Sequence, residues 1–245
     1  MKKAIIIYGL GAPIYVSGEG TNSDRFAKFI KTLDYDLELI DPVDLGVGKR
    51  VIEEIKEKID LIVGISLGGL WAQRMASEHP EAKLLLIATF PTKTSQMELV
   101  DQLIRWIKKG WILRLLEGMK VFSTRWWVML YLKFNPVPPG SNSEIKRLYL
   151  EEMTRNVDYF KKLSIEDAKK IIGVLESWDN REILKQLKNK TLILAGENDQ
   201  LCPVTVARLM NNSIKNSELV VSSGGHFNVF NEESEGAVKE FLGVK

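Results

Sequence analysis

The sequence predicts an α/β fold in which a mostly parallel sheet of six strands is covered by helices on both faces. Two observations support this prediction. Short, nearly continuous apolar segments recur along the chain, as in strands that are buried on both faces. Charged, amphipathic segments separate most of them, as the helices that connect parallel strands do.

The first part of the chain contains four predicted strands and three predicted helices. The strands cover residues 3–9, 36–41, 61–66 and 82–89. The helices cover residues 22–33, 49–59 and 69–79. The third helix ends before Pro80, because proline cannot continue a helix. This regular alternation predicts that the strands are parallel.

The last part of the chain returns to the same alternation. Strands are predicted over 190–196 and 217–223, with a helix over 203–212 between them. A helix over 232–242 closes the chain. The segment 164–187 is also predicted to be helical, and it leads the chain back into the sheet.

The alternation is interrupted between about residues 90 and 163. This region is rich in tryptophan and contains the segment NPVPPGSNS (135–143), whose composition is typical of a hinge. We therefore predict a core formed by residues 1–90 and 164–245. Residues 91–163 are predicted to form a helical insertion that lies on the sheet.

The composition disfavours several classes of function. A net charge of +2 gives no electrostatic argument for a nucleic-acid partner. The single cysteine, Cys202, cannot form an intramolecular disulfide, and one cysteine with two histidines disfavours a zinc site. We therefore expect no nucleic-acid partner and no metal or organic cofactor.

The amino-terminal segment has a superficial likeness to a signal peptide, because two lysines precede a mostly apolar run over 4–16. Gly9, Gly11 and Pro13 interrupt this run, and residues 4–8 are better interpreted as a buried strand. No uncharged apolar run approaches the roughly 18 residues of a membrane span. The sequence is therefore expected to belong to a soluble cytoplasmic protein without a transmembrane segment.

A serine ends the third predicted strand, in the segment LIVGISLGGLWAQ (61–73). Gly64 and Gly68 surround Ser66 in the pattern G-x-S-x-G, between a strand and a helix. A sharp strand-to-helix turn raises the serine hydroxyl above the sheet, and the glycines let the strand and the helix approach closely. Ser66 is therefore predicted to be a nucleophile. The alternative is a glycine-rich turn in which the serine caps the helix.

A serine nucleophile needs a base, and the chain has two histidines. His79 ends the helix that begins near Ser66, and a rise of 1.5 Å per residue places it roughly 20 Å from the serine. His226 follows the last strand in the segment SSGGHFNVF, where two glycines allow a tight loop. We predict that His226 is the base; a packed loop histidine is the alternative.

The base needs an acid that orients its ring. Asp199 follows the penultimate strand in the segment LILAGENDQLCP, so it is expected at the same edge of the sheet as Ser66 and His226. Glu197 is a competitor, although it lies nearer the end of the strand. We predict that Asp199 is the acid.

The oxyanion of an acyl-transfer reaction needs hydrogen-bond donors. The N–H group of Leu67, directly after Ser66, is predicted to be one of them. The second is expected in the loop after the first strand, YGLGAP (8–13), where Leu10 is preferred and Gly11 is the reserve.

These segments resemble the α/β-hydrolase superfamily over nearly the whole chain. GISLGG is similar to its nucleophile elbow, AGENDQLCPV to its acid loop, GGHF to its histidine loop, and YGLG to its H-G-x-G oxyanion loop, with Tyr8 replacing the histidine. The resemblance implies an α/β-hydrolase fold whose six strands lie in the order 2-1-3-4-5-6, with the family's first two strands missing. It also implies a cap over 91–163 and the catalytic order Ser66, Asp199, His226.

Within the superfamily, GISLGGLWAQRMASEHP and the tryptophan-rich insertion are most similar to carboxylesterases of the group that includes pimeloyl-acyl-carrier-protein methyl ester esterase. This resemblance implies a serine esterase that works through an acyl-enzyme intermediate. Two alternatives stay open. One is an acyltransferase or thioesterase that uses the same residues, and the other is a non-catalytic binding protein on the same fold.

The predicted cap carries an excess of positive charge. Residues 104–134 hold seven lysines and arginines but one glutamate, interleaved with aromatic residues. One interpretation is that the aromatic residues line an acyl pocket while the charges face water. The predicted pocket residues are Trp71, Trp106, Trp111, Trp126 and Trp127. The other interpretation is a docking face for an acidic carrier protein or an anionic lipid surface.

Overall fold

A sheet of six strands, all paired in parallel, lies at the centre of the computed structural model. In chain order the strands are β1 (Lys2–Ile7), β2 (Tyr35–Ile40), β3 (Leu61–Ile65), β4 (Lys83–Ile87), β5 (Thr191–Gly196) and β6 (Ser217–Ser222). Their order in space is β2-β1-β3-β4-β5-β6. The predicted fold class, strand number and strand order are therefore confirmed.

The structure describes residues 1–9, 29–46, 57–108, 164–226 and 229–244 as continuous segments. It also describes shorter pieces at 26, 52, 55, 118, 123–126, 128–129, 143, 146–147, 150–151, 154 and 157–158. Most of the predicted insertion beyond residue 108 lies outside these residues. Its assignment as a cap over 91–163 stays a prediction.

The helices connect the strands and cover the sheet. Those with defined bounds are α1 (Pro42–Gly46), α2 (Gly68–Glu78), α3 (Glu98–Lys108), α4 (Ile165–Ser177), α5 (Arg181–Gln186), α6 (Val204–Ser213) and α7 (Glu232–Leu242). The helices predicted over 69–79, 203–212 and 232–242 are confirmed to within one residue at each end. In the described part of the chain, no helix combines the length and apolar character that crossing a membrane would need.

Alternate residues of the strands face two separate apolar clusters. Ile5 and Ile7 of β1 point to the cluster that also contains residues of α2 and α6, such as Met75. Ala4 and Ile6 point to the cluster that contains residues of α7 and the helical positions between 26 and 32. Both faces of the four central strands are therefore mostly buried, which explains why these strands are nearly continuous apolar runs, whereas the edge strands β2 and β6 are only partly buried.

Local capping chemistry explains where the closing helix begins and ends. The side chain of Asn231 accepts hydrogen bonds from the N–H groups of Glu233 and Ser234, at 3.1 and 3.2 Å. This satisfies two donors that the first turn of a helix leaves free. After Leu242, Gly243 adopts a left-handed conformation with a φ of 75°, which ends α7.

The helix predicted over 49–59 is wrong in its last part, because residues 57–60 are not helical. The N–H of Asp60 donates to the carbonyl oxygen of Lys3 at 3.0 Å, and its own carbonyl accepts from the N–H of Lys83 at 3.0 Å. The backbone has therefore joined the sheet before β3 begins, and a helix cannot extend to this point. Further upstream, the N–H of Ile55 donates to Ile52, three residues earlier, as in a 3₁₀ turn.

The structure differs from the sequence prediction at two further helices. Helix α1 is an unpredicted short helix that begins at Pro42, where the Asp41 side chain accepts from the N–H of Val43 at 2.8 Å. The helical segment predicted over 164–187 divides into α4 and α5. The break at Trp178 is extended, with a ψ of 129°.

The parallel arrangement places the carboxyl ends of all six strands at one edge of the sheet. Ser66 directly follows β3, Asp199 follows β5, and His226 follows β6. The three residues are far apart in the sequence, but the topology brings the loops that carry them to the same edge.

Candidate active site

Ser66 sits in a strained turn between β3 and α2. Its φ is 51°, which lies in the left-handed region that residues other than glycine seldom adopt. Its N–H donates to the carbonyl oxygen of Ile87 in β4 at 2.9 Å, and its own carbonyl accepts from the N–H of Gly69 at 3.0 Å. The surrounding backbone therefore holds the serine in a conformation that a free chain would avoid.

The glycines on either side of Ser66 allow this turn to be tight. A Cβ atom on Gly64 would lie 2.5 Å from the Cβ of Ala72 and 2.6 Å from the Cα of Gly69. A Cβ atom on Gly68 would overlap the carbonyl oxygens at the end of β1. The G-x-S-x-G spacing is thus required because α2 packs directly against β3 and β1.

His226 connects Ser66 with Asp199. The Oγ of Ser66 lies 2.9 Å from His226 Nε2, and His226 Nδ1 lies 2.8 Å from Asp199 Oδ2. Only 11% of the histidine side chain is exposed to solvent, and none of the aspartate side chain is. The structure therefore brings the three predicted residues into one hydrogen-bonded chain with the histidine in the middle.

The loop after β5 fixes the Asp199 carboxylate. Its Oδ1 accepts hydrogen bonds from the N–H groups of Leu201 at 2.9 Å and Cys202 at 2.8 Å, which leaves Oδ2 for the histidine. Glu197, the competing acid, is exposed, and its N–H donates to the carbonyl oxygen of Ser222 at 2.9 Å. Asp199, and not Glu197, therefore faces His226.

A second set of hydrogen bonds joins this loop to the loop that carries His226. The N–H of Asn198 donates to the carbonyl oxygen of Gly224 at 3.1 Å, and its side-chain amide donates to the carbonyl oxygen of Ser223 at 3.1 Å. These bonds set the distance between the two loops. The contact between Asp199 and His226 therefore depends on backbone geometry as well as on the two side chains.

The predicted oxyanion donors lie partly within the described residues. Leu67 directly follows Ser66 and is buried. Gly9, two residues after β1, approaches the serine closely, since a Cβ there would lie 2.8 Å from Ser66 Cβ and 3.3 Å from Ser66 Oγ. Leu10 and Gly11, the candidates for the second donor, lie outside the described residues.

The predicted pocket tryptophans are found in different environments. Trp71 in α2 is buried in the core, with its ring centre 5.0 Å from that of Trp178. Trp126 is 47% exposed. Trp111, Trp127 and the side chain of Trp106 lie outside the described residues, so the composition of an acyl pocket stays a prediction.

Sequence reasoning missed one polar contact at Ser66. The Oγ1 of Thr89, which is buried just after β4, donates to the carbonyl oxygen of Ser66 at 2.5 Å. The available signal was its position, because Thr89 follows a strand at the same sheet edge as Ser66.

It also missed a buried pair of side-chain amides, Asn180 and Gln73, beside helix α2. The Asn180 side-chain amide donates to Gln73 Oε1 at 3.0 Å and to the carbonyl oxygen of Leu70 at 2.8 Å. No local sequence pattern signals these contacts, since Asn180 lies 107 positions after Gln73 and 110 positions after Leu70.

One group of atoms among the described residues could in principle hold a metal ion. Asp199, Cys202 and His226 each offer one ligand atom, and these atoms lie within 4.8 Å of one another. A metal there would have to break the hydrogen bond between His226 and Asp199. Burial, reinforced by the Asp199 carboxylate, raises the pKa of the Cys202 thiol well above its ordinary value, so the sulfur stays protonated.

The comparison with known protein families agrees with this geometry. A sequence profile of the alpha/beta hydrolase fold matches residues 55–233, which is more than half of the chain. The chain belongs to this family. Residues 55–233 of this alpha/beta hydrolase, which the profile matches, contain Ser66, Asp199 and His226 together with β3 to β6.

Individual relatives of this alpha/beta hydrolase are distant. It is 23% identical over 238 residues to a poly(3-hydroxyalkanoate) depolymerase of Ectopseudomonas oleovorans, across 86% of this chain and 76% of the depolymerase. Its fold resembles an esterase from Exiguobacterium antarcticum with a TM-score of 0.59 and 19% identity, covering 98% and 91% of the two chains. It also resembles an enol-lactonase from Burkholderia xenovorans with a TM-score of 0.63 and 16% identity, covering 99% and 92%.

Proposed function

We propose that this alpha/beta hydrolase is a serine esterase that cleaves carboxylic esters through an acyl-enzyme intermediate. The observation that carries the proposal is the pair of contacts made by His226, 2.9 Å to Ser66 Oγ and 2.8 Å to Asp199 Oδ2. A hydroxyl, an imidazole and a buried carboxylate in this order form the arrangement that activates serine in acyl transfer. We assign Ser66 as nucleophile, His226 as base and Asp199 as the acid that orients it.

The first half-reaction forms the acyl-enzyme. Ser66 Oγ attacks the ester carbonyl carbon while His226 Nε2 takes the hydroxyl proton. The tetrahedral intermediate then collapses, the carbon–oxygen bond to the alcohol breaks, and the imidazolium returns the proton to the leaving alkoxide oxygen. Asp199 stabilises the imidazolium and keeps Nδ1 protonated.

The second half-reaction uses water in place of the alcohol. His226 takes a proton from water, and the resulting hydroxide attacks the acyl carbon. The bond to Ser66 Oγ breaks, and the histidine returns the proton to the serine. In both halves the Leu67 N–H, and a second donor that we assign to Leu10, stabilise the charge on the carbonyl oxygen.

Ester cleavage is supported by the names of two relatives, an esterase and an enol-lactonase, since a lactone is a cyclic ester. The depolymerase is a third hydrolytic relative. Membership of the pimeloyl-acyl-carrier-protein methyl ester esterase group stays a prediction from sequence resemblance.

A fluorophosphonate probe tests the assignment of Ser66, because it reacts only with an activated serine. We expect the wild-type protein to be labelled and the Ser66→Ala variant to be unlabelled. Ser177→Ala is the matched control, since this exposed serine only donates to the carbonyl oxygen of Gly173. A folded wild-type protein that resists labelling would contradict the proposal and favour a non-catalytic binding protein.

The same triad serves an acyltransferase or a thioesterase. A competition assay separates the hydrolases from the acyltransferase, and comparing kcat/KM for an ester and the matching thioester separates an esterase from a thioesterase. The acyl-enzyme is allowed to partition between water and added alcohols or thiols. Hydrolysis as the main outcome at moderate acceptor concentration supports the esterase. Preferential transfer to the acceptor would replace it with an acyltransferase.

The basic segment 104–134 is a predicted docking face for an acidic carrier protein or an anionic lipid surface. Within the described residues, Arg105 and Arg125 are exposed, and Trp126 and Met129 are 47% and 64% exposed. We expect the double substitution Lys108→Glu and Lys109→Glu to lower activity on a carrier-bound ester and to spare a small ester. Equal loss on both substrates would contradict the docking role. A cytoplasmic location, which the carrier-protein version assumes, stays a prediction.

A further inference from the structure

We propose that Thr89 is a positioning residue for the oxyanion hole, which it orients by holding the Ser66–Leu67 peptide group from its carbonyl side. This inference rests on the proposed function of Ser66. Thr89 lies just after β4, is 3% exposed, and donates from Oγ1 to the carbonyl oxygen of Ser66 at 2.5 Å. The N–H of Gly69 donates to the same oxygen at 3.0 Å.

The geometry of the peptide bond transmits this contact to the oxyanion hole. The carbonyl of Ser66 and the N–H of Leu67 belong to one planar peptide group, and in a trans peptide they point in opposite directions. Fixing the oxygen therefore fixes the direction of the N–H. The Thr89 hydroxyl, which binds the carbonyl oxygen at one end of this peptide group, therefore orients the Leu67 N–H at the other end, which we assign as a donor to the oxyanion.

The strain at Ser66 makes this restraint necessary. With a φ of 51° the serine occupies a backbone region that is unfavourable for a side-chain-bearing residue, so the adjoining peptide plane would relax if it were free. Its rotation is opposed by two hydrogen bonds to the Ser66 carbonyl and by the bond from the Ser66 N–H to Ile87. Thr89 supplies the side-chain member of this set.

Gly69 is explained by the same contact. A Cβ atom on Gly69 would overlap the Thr89 hydroxyl and lie 2.6 Å from Thr89 Cβ. Gly64 and Gly68 allow the strand and the helix to pack, but Gly69 leaves the space through which Thr89 reaches Ser66. The third glycine of the GISLGG segment therefore belongs to the positioning of the nucleophile's carbonyl.

The hydrogen bond from Thr89 to the Ser66 carbonyl also makes the Leu67 N–H a stronger hydrogen-bond donor. A hydrogen bond to an amide oxygen draws electron density toward that oxygen and makes the N–H of the same group a better donor. Thr89 is buried, so water does not screen the effect. Because the Leu67 N–H faces charge that develops only in the transition state, the loss of Thr89 should lower kcat more than it changes KM.

Two substitutions at Thr89 separate the effect of its hydroxyl from the effect of its methyl group. Valine is unsuitable, since its methyl group would replace an oxygen that lies 2.5 Å from the Ser66 carbonyl. Thr89→Ser and Thr89→Ala both lose the methyl group, and they differ only in the hydroxyl. Thr191→Ala is the matched control, because Thr191 is 1% exposed and also donates to a backbone carbonyl, that of Asn189 at 3.1 Å, at the opposite edge of the sheet.

We expect Thr89→Ala to lower kcat on a small ester about 10-fold relative to Thr89→Ser, which is less than the effect of deleting an oxyanion donor outright. KM should change by less than about 2-fold. The affinity for a boronic acid that forms a tetrahedral adduct with the serine should fall by the same factor as kcat/KM. Thr191→Ala should leave all three quantities near the wild-type values.

Equal kcat in the alanine and serine variants would overturn the inference, as would a loss confined to KM or an equal loss in Thr191→Ala. If the alanine variant does not fold, Thr89→Cys replaces it, because a thiol of similar size is a weaker donor. If the wild-type protein neither cleaves esters nor reacts with the fluorophosphonate, the proposed function fails. The inference then fails with it, because an oxyanion hole has no role without the reaction, and the missing label distinguishes this outcome from equal kcat values in an active protein.

Discussion

The backbone of Gly196 packs against the carbonyl oxygen of Gly224 so closely that a Cβ atom at position 196 would lie 2.5 Å from that oxygen. Gly196 is the last residue of β5, three positions before Asp199, and Gly224 lies two positions before His226. The contact therefore sets the spacing between the loop that carries Asp199 and the loop that carries His226.

We predict that Gly196→Ala lowers kcat about 100-fold, because a misplacement of reacting groups by about 1 Å has an effect of that size. The added methyl group pushes the Gly224 carbonyl away and lengthens the contact between Asp199 and His226. Ester hydrolysis by the purified variant measures the loss. Gly236→Ala in α7 is the control, since a Cβ there meets nothing within 4 Å and should stabilise the helix by about 0.5–1 kcal/mol. An unchanged kcat in Gly196→Ala would show that the loops are not coupled in this way.

Gly9 provides a second steric test, directed at Ser66 itself. A methyl group on Gly9 would lie 2.8 Å from Ser66 Cβ and 3.3 Å from Ser66 Oγ, and Gly9 does not have a positive φ. We therefore expect Gly9→Ala to fold normally but to react with a fluorophosphonate about 10- to 100-fold more slowly than the wild-type protein. Gly173→Ala, in open space on α4, should react at the wild-type rate. Normal labelling of Gly9→Ala would mean that the β1 loop can move away from the serine.

The sheet and the three residues at its edge could be predicted from sequence because their signals are local. The central strands are apolar runs and most connections are amphipathic segments. Ser66, Asp199 and His226 follow the ends of their strands by one, three and four residues. Parallel topology then places them together without further information. The strand order was implied by the resemblance to the α/β-hydrolase superfamily and is confirmed.

The contacts that support the site could not be predicted, because each joins distant parts of the chain. The partner of Thr89 is a backbone oxygen 23 positions away, and an isolated sequence gives no sign of its direction. The end of the helix predicted over 49–59 is decided by the pairing of Asp60 with Lys3 and Lys83. In both cases tertiary hydrogen bonds outweigh the local pattern.

The buried amide of Asn180 is predicted to be important for stability rather than for chemistry. It is fully buried, donates to Leu70 and Gln73, and accepts from Nε of Arg74 at 3.1 Å. Alanine would leave the carbonyl oxygen of Leu70 and the Gln73 amide with fewer partners, so we expect a loss of about 2–4 kcal/mol in the free energy of unfolding. Urea denaturation measures the loss.

Asn216→Ala is the matched comparison for this prediction. Asn216 is exposed and makes one side-chain bond, to the carbonyl oxygen of Lys188 at 3.0 Å. We expect this substitution to change the free energy of unfolding by less than about 1 kcal/mol, because water replaces the lost bond. Similar losses in both asparagine variants would contradict the argument from burial.

The thiol of Cys202 makes stability depend on pH in the alkaline range. Burial and the Asp199 carboxylate raise its pKa well above the ordinary value in the folded protein, whereas an unfolded thiol titrates near about 8.5. Above that pH the unfolded state loses a proton that the folded state retains. The free energy of unfolding should therefore fall as pH rises, by up to about 1.4 kcal/mol per pH unit, and should be unaffected by this group below about pH 8.

Urea denaturation at several pH values between about 7.5 and 10, for the wild-type protein and for Cys202→Ser, isolates this contribution. The variant has no thiol to titrate, so its stability relative to the wild-type protein should improve steadily as pH rises above about 8.5. Tyr35, whose pKa is raised by burial, and Lys83, whose pKa is lowered by burial, titrate in both proteins and cancel in the difference. A difference that stays constant with pH would mean that the folded protein ionises Cys202 as readily as the unfolded chain does. In that case water would reach the Cys202 sulfur beside the Asp199 carboxylate, either directly or through a local opening of the structure.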